Sequence, residues 1–135
     1  MQVSEVTLKA GTILYHGTDN DDFDEAADGL DGPAWLSQGL QVAQRFAARN
    51  SWGGQKRVIA YRLTEDVTLP AIYSREEMEE LAEEHNIDLS GTEAIRDSFA
   101  NSSLPGWVIP HNYPEGDDIL LQFTNALEYQ SSTPL

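Results

Sequence analysis

The stretch ILYHGT, residues 13–18, ends an apolar run on His16 and follows it at once with Gly17. A strand that delivers an imidazole beside a glycine can do two things together. The ring can hold a sugar hydroxyl, and the backbone N–H and C=O, with no Cβ in the way, can grip an amide in a fixed orientation. The same residues also read as a half-buried strand histidine before a turn. Further along, Trp35 and Ser37 end a second apolar stretch, and Phe46 lies on the inward face of the helical pattern that follows. Two aromatic rings converging on a strand–helix junction can sandwich a flat heteroaromatic ring, or both can be core.

Other candidates are weaker. Asn20, Asp22 and Asp24 have the alternating spacing that opens a calcium loop, but Glu25 stands where the sharp-turn glycine is needed and Asp31 where a bidentate glutamate is needed. The stretch reads as a solvated loop, with no metal implied. The glutamates 76, 77, 79, 80, 83 and 84 read as the water-facing side of a helix. No phosphate-binding glycine loop, dinucleotide fingerprint, zinc-protease motif or serine-hydrolase elbow occurs.

Charge narrows the partners. The chain has 135 residues and a formal charge of -15, from 23 acidic against 8 basic residues, and Lys9 and Lys56 are its only lysines. Such a field repels phosphate backbones and anionic lipid, because nucleic-acid affinity is built largely from Lys and Arg contacts. No nucleic-acid or membrane partner is expected. The same charge also fits plain solubility, adaptation to high salt, or mimicry of a polyanion. Cysteine is absent, which excludes disulfides and thiolate zinc sites. No apolar run approaches the roughly 18 residues of a membrane span, and the first residues lack the order of a signal peptide. The expectation is a cytoplasmic protein with a single domain over 1–135.

The elements that must position these residues follow from periodicity. Residues 12–16 and 33–37 read as short strands, with an Asp- and Gly-rich loop over 19–32 between them. Leu40, Ala43, Phe46 and Ala47, at spacings of three and four, predict an amphipathic helix with Ser37 placed to cap it. From Lys56 to Pro70 the pattern reads as a strand, with Val58, Ala60 and Arg62 on one face and Ile59, Tyr61 and Leu63 on the other. Ser74 before an acidic first turn, with Met78, Leu81 and Ala82 on one face, predicts a second helix, and residues 90–102 a short third one. Three strands, around 106–110, 117–123 and 126–130, close the chain. Strands grouped at the end rather than alternating with helices predict an α+β fold.

Taken in order, LYHGT, the aromatic–aliphatic–Ser strand end, a helix containing AQRFA and a strand RVIAYRL resemble the ADP-ribosyltransferase superfamily. Within it the chain is similar to the histidine–tyrosine–glutamate branch, nearest the small rifamycin ADP-ribosyltransferases in size and spacing. The resemblance runs from Ile13 to about Leu63, with a fainter echo from Trp107 to Tyr129. It implies a mixed β-sheet core with a few short helices and NAD as substrate. Residue by residue, it implies that His16 bonds an NAD ribose and that the Gly17 backbone holds the nicotinamide carboxamide, with Thr18 completing the motif. Trp35 falls on the family's first tyrosine, which stacks on nicotinamide, Phe46 near the second aromatic, and Ser37 where a supporting hydroxyl is common.

The family's third position, an acid opening a late strand, falls best on Asp118, with Asp117 and Glu115 as alternatives. Aspartate serves a related purpose in the small rifamycin enzymes. Its chemistry would be electrostatic: as nicotinamide leaves, positive charge grows on the ribose, and a carboxylate near the 2′-hydroxyl stabilises it. Arg45, Arg49 or nearby N–H groups would meet the pyrophosphate. The function so implied is transfer of ADP-ribose from NAD to an unknown acceptor. The rivals are NAD glycohydrolysis, a non-catalytic member that binds NAD or a protein, and an acidic DNA-mimic inhibitor. An RNA 2′-phosphotransferase would need a basic surface that this chain lacks.

Overall fold

The computed structural model describes residues 4–20, 30, 32–49, 53–113 and 116–135. Strand β1 (Ser4–Leu8) leads into β2 (Ile13–Thr18), β3 (Ala34–Leu36) and helix α1 (Leu40–Arg49). Then come β4 (Arg57–Leu63), β5 (Val67–Ala71), α2 (Arg75–His85), α3 (Thr92–Phe99), β6 (Gly106–Tyr113), β7 (Gly116–Leu121) and β8 (Leu127–Pro134). The class is α+β, as the grouping of strands predicts. None of the described helices is long and apolar enough to cross a membrane.

Two sheets form: β1-β5-β6-β7-β3, with only β5 and β6 parallel, and β2-β4-β8, all antiparallel. Strand alternation explains how they pack. Ile59, Tyr61 and Leu63 of β4, with Leu14 of β2, face a core shared with Leu8, Ala34, Leu36, Leu69, Val108, Ile119 and Leu121 of the larger sheet. The opposite face of the larger sheet carries Trp107 and Leu120 onto Leu81, Ala82 and Phe99 of α2 and α3. Each fully buried aliphatic side chain there contributes roughly 1.5–3 kcal/mol.

Three expectations need correcting. The run from Lys56 to Pro70 is two strands, because Thr64–Asp66 turns the chain and β5 pairs with β1 while β4 stays with β2. Strand β1 was not expected from its polar start; only Val6 and Leu8 turn inward. In α1 the buried residues are Val42, Ala43 and Ala47, whereas Leu40, at the first turn, is 44% exposed. Ser74 does cap α2, its hydroxyl accepting the Glu77 N–H at 3.2 Å.

Candidate functional site

Besides the shared core, one backbone rung joins the edges of the two sheets among the described residues. Tyr15 of β2 and Ser37, just past β3, exchange both backbone hydrogen bonds, at 2.8 and 3.0 Å. Beyond it the backbone ladder between β2 and β3 stops and a side chain takes over. The His16 Nδ1 lies 2.7 Å from the Trp35 carbonyl oxygen. A carbonyl only accepts, so the proton sits on Nδ1, and in the neutral ring Nε2 is an acceptor. Burial is the main cause holding the His16 pKa below the ordinary 6.5, opposed by the Trp35 carbonyl and reinforced by the cations of Arg57 and Arg96. The half-buried imidazole is therefore neutral at pH 7.

By alternation along an antiparallel strand, the Gly17 backbone groups lie on the same edge of β2 as those of Tyr15, the edge that faces β3. What needs its missing side chain, however, is helix α1: a Cβ there would strike the Ala43 carbonyl oxygen and stand 2.7 Å from the Ala47 amide nitrogen. Glycine at this position lets α1 press onto the outer face of β2.

Asp117 and Asp118 diverge. Asp117 gathers the junction between β3 and α1, accepting from Ser37 Oγ at 2.9 Å, from the Gln38 amide at 2.8 Å and from Gln38 Nε2 at 2.8 Å. Ser37 Oγ also lies 2.7 Å from the Asp117 carbonyl and accepts the Gly39 N–H at 2.9 Å. The Ser37 hydroxyl, fully buried, is thus spent on structure just ahead of the helix rather than offered to a ligand. Asp118 instead shares a face with Leu120, the register partner of Trp35, and is 7% exposed with Oδ1 enclosed. Trp35 and Asp118 are diagonal neighbours on one face, since Trp35 pairs with Leu120 two residues along β7.

Trp35 packs with the core beneath α2 and α3, and its indole Nε1 is enclosed with no hydrogen-bond partner among the described residues. Phe46 sits on α1 with the Arg49 guanidinium 5.0 Å from its ring centroid. The two rings thus belong to different layers, and His16 meets Trp35 through its backbone carbonyl. Thr18 is buried at the end of β2, its hydroxyl accepting the Asn20 N–H at 3.1 Å. Arg45 and Arg49 are exposed on α1. Glu115, like Asp22, Asp24, Glu25 and Asp31 of the acidic loop, lies outside the described residues.

Arg57 and Asp19 were missed. Arg57, opposite Thr18 in the β2–β4 ladder, is 8% exposed and donates to the carbonyls of Asn20 at 2.9 Å and Gln55 at 3.2 Å. Extending the inward alternation of Leu63, Tyr61 and Ile59 back by two residues would have found it. Asp19, also buried, accepts the Gly53 N–H at 3.3 Å, and no local pattern marks it. Among the described residues, the buried polar and charged ones are Thr18, Asp19, Ser37, Arg57 and Asp118. Thr18, Asp19 and Arg57 lie at the end of β2 and the start of β4, and Ser37 and Asp118 lie where β3 pairs with β7. No protein-family model matches this chain, and no curated protein matches it.

Proposed function

We propose that the chain binds NAD where β2 and β3 part and transfers its ADP-ribose to an acceptor, releasing nicotinamide. The observation that carries this reading is the junction itself: one hydrogen bond ties His16 to the backbone of Trp35, and Trp35 shares a face with the enclosed carboxylate of Asp118. The residues suit the ligand. A neutral imidazole with Nε2 as acceptor takes a ribose hydroxyl. The Trp35 indole, packed beneath α2 and α3, carries an enclosed N–H with no acceptor among the described residues, a donor that a ligand could satisfy. A carboxylate already removed from water interacts strongly with charge that develops on the ribose as the glycosidic bond weakens. Three parts differ from the residue-by-residue expectation, since Gly17 admits a helix, Ser37 is committed to Asp117, and Trp35 and Phe46 lie in different layers rather than facing one another.

Incubation with NAD labelled in the adenylate, with and without cell lysate, tests the reading. Release of nicotinamide with label passing to an acceptor is the expected result. Release without transfer makes the protein a glycohydrolase, and calorimetric NAD binding with neither makes it a binding module. Absence of both binding and turnover overturns the reading.

A further inference from the structure

We infer that Arg57 is the anion anchor of this site, holding the phosphate groups of a phosphorylated sugar, which for NAD is the pyrophosphate; the inference rests on the reading above. In a chain of charge -15, an anionic ligand is repelled at long range and must be met by a local cation. Arg45, Arg49 and Lys56 are exposed, and Lys9, Arg62, Arg75 and Arg96 lie in surface ion pairs with Asp66, Glu128, Glu79 and Asp97. Arg57 is the basic residue among the described ones that is buried.

Its place fits the role. Arg57 faces inward opposite Thr18, and Thr18 lies two residues beyond His16 on the same face of β2. That spacing along a strand is about 7 Å. A ligand spanning it would present a hydroxyl to His16 Nε2 and an anion to the guanidinium, which is the layout of a ribose phosphate. The Asn20 and Gln55 carbonyls fix the plane of the guanidinium, so little rotamer freedom is left to lose when a phosphate is gripped by two N–H groups. The Thr18 hydroxyl accepts from Asn20, and its own proton can be donated to the same anion.

The test compares ADP-ribose with adenosine, which keeps the base and ribose but has no phosphate, by calorimetry on the full chain. The wild-type protein should prefer ADP-ribose, and inorganic pyrophosphate should displace it. Arg57→Gln should weaken ADP-ribose at least tenfold and leave adenosine unchanged, whereas Arg45→Gln should leave both unchanged. If Arg57→Gln melts below the assay temperature, Arg57→Lys carries the test, because it keeps the charge without the fork and should still lose about tenfold. Unchanged ADP-ribose affinity in a folded Arg57 variant, loss on Arg45→Gln instead, or no displacement by pyrophosphate overturns the inference. Arg57-dependent pyrophosphate binding by a protein that neither binds nor turns over NAD would sustain the anchor and remove the NAD reading.

Discussion

The end of β2 and the start of β7 each set two neighbouring residues to different work. At the first, His16 reaches across to β3 while Gly17 turns its absent side chain to α1. At the second, Asp118 is enclosed on the face it shares with Trp35 while Asp117 bonds Ser37 and Gln38. The alternation of a strand does this, sending successive side chains to opposite faces. One member of each pair is fixed by packing or backbone bonding, and the other is the one to which the proposed function gives a role. A sequence motif spanning such a pair thus joins two residues with different surroundings, and adjacency alone does not say which is which.

The largest break in this comparison is Asp118→Asn. If the carboxylate stabilises charge that arises only as nicotinamide leaves, NAD binding should stay nearly unchanged. Turnover should fall by roughly 10²- to 10³-fold, the scale of losing one electrostatic stabiliser. Nicotinamide release together with calorimetric NAD affinity measures both. Loss of affinity with turnover per bound NAD intact would assign Asp118 to binding instead.

Next is Gly17→Ala. The new methyl meets helix backbone rather than a yielding side chain, so either α1 or β2 must move. The expected cost is about 3 kcal/mol, at the upper end for overpacking a core. Urea midpoints decide; a drop of NAD affinity with unchanged stability would return Gly17 to ligand contact.

Asp117→Ala should cost less, about 2 kcal/mol, because it strips acceptors from the buried Ser37 hydroxyl and the Gln38 amide. Thermal melting reads the loss, and faster amide exchange at Gln38 and Gly39 should accompany it. Asp117→Asn keeps one acceptor oxygen and should fall between Ala and wild type. A variant that folds as well as wild type yet loses turnover would exchange the roles of the two aspartates.

Much of this frame can be read from the sequence, and the limits have physical reasons. Alternation in RVIAYRL places Ile59, Tyr61 and Leu63 inward, and the Ser74 cap follows from local chemistry. These depend on neighbours along the chain. The work of Gly17 does not, because the atoms that require a glycine belong to Ala43 and Ala47. Nor does the fate of Ser37, whose partner is 80 residues away. Arg57 lies between: its parity was readable, but a strand's first residue is easily taken for its exposed end.

The smallest expected effect is the pH dependence of the His16–Trp35 link, and it sharpens the comparison most finely, since it asks whether the residue proposed to meet a ligand is also a fastener. The folded protein holds the His16 pKa below 6.5, chiefly through burial, with the charges of Arg57 and Arg96 acting in the same direction. Between the folded pKa and 6.5 the unfolded chain therefore binds more protons, so stability rises with pH across that window. The His16 contribution is whole above about pH 6.5 and is lost as pH falls toward the folded value. His16→Asn, whose amide can still donate to the Trp35 carbonyl, removes the titration and keeps a version of the bond. Denaturation between pH 7.5 and 5.5 should show wild type losing more stability on acidification than the variant. The difference between them isolates His16 from the many carboxylates, whose protonation is common to both proteins. Parallel curves would mean that the imidazole is well enough solvated to titrate as in the unfolded chain. A wild type that gains stability relative to the variant as pH falls would mean that the charged ring is the favoured partner of the Trp35 carbonyl, and that the burial cost is outweighed.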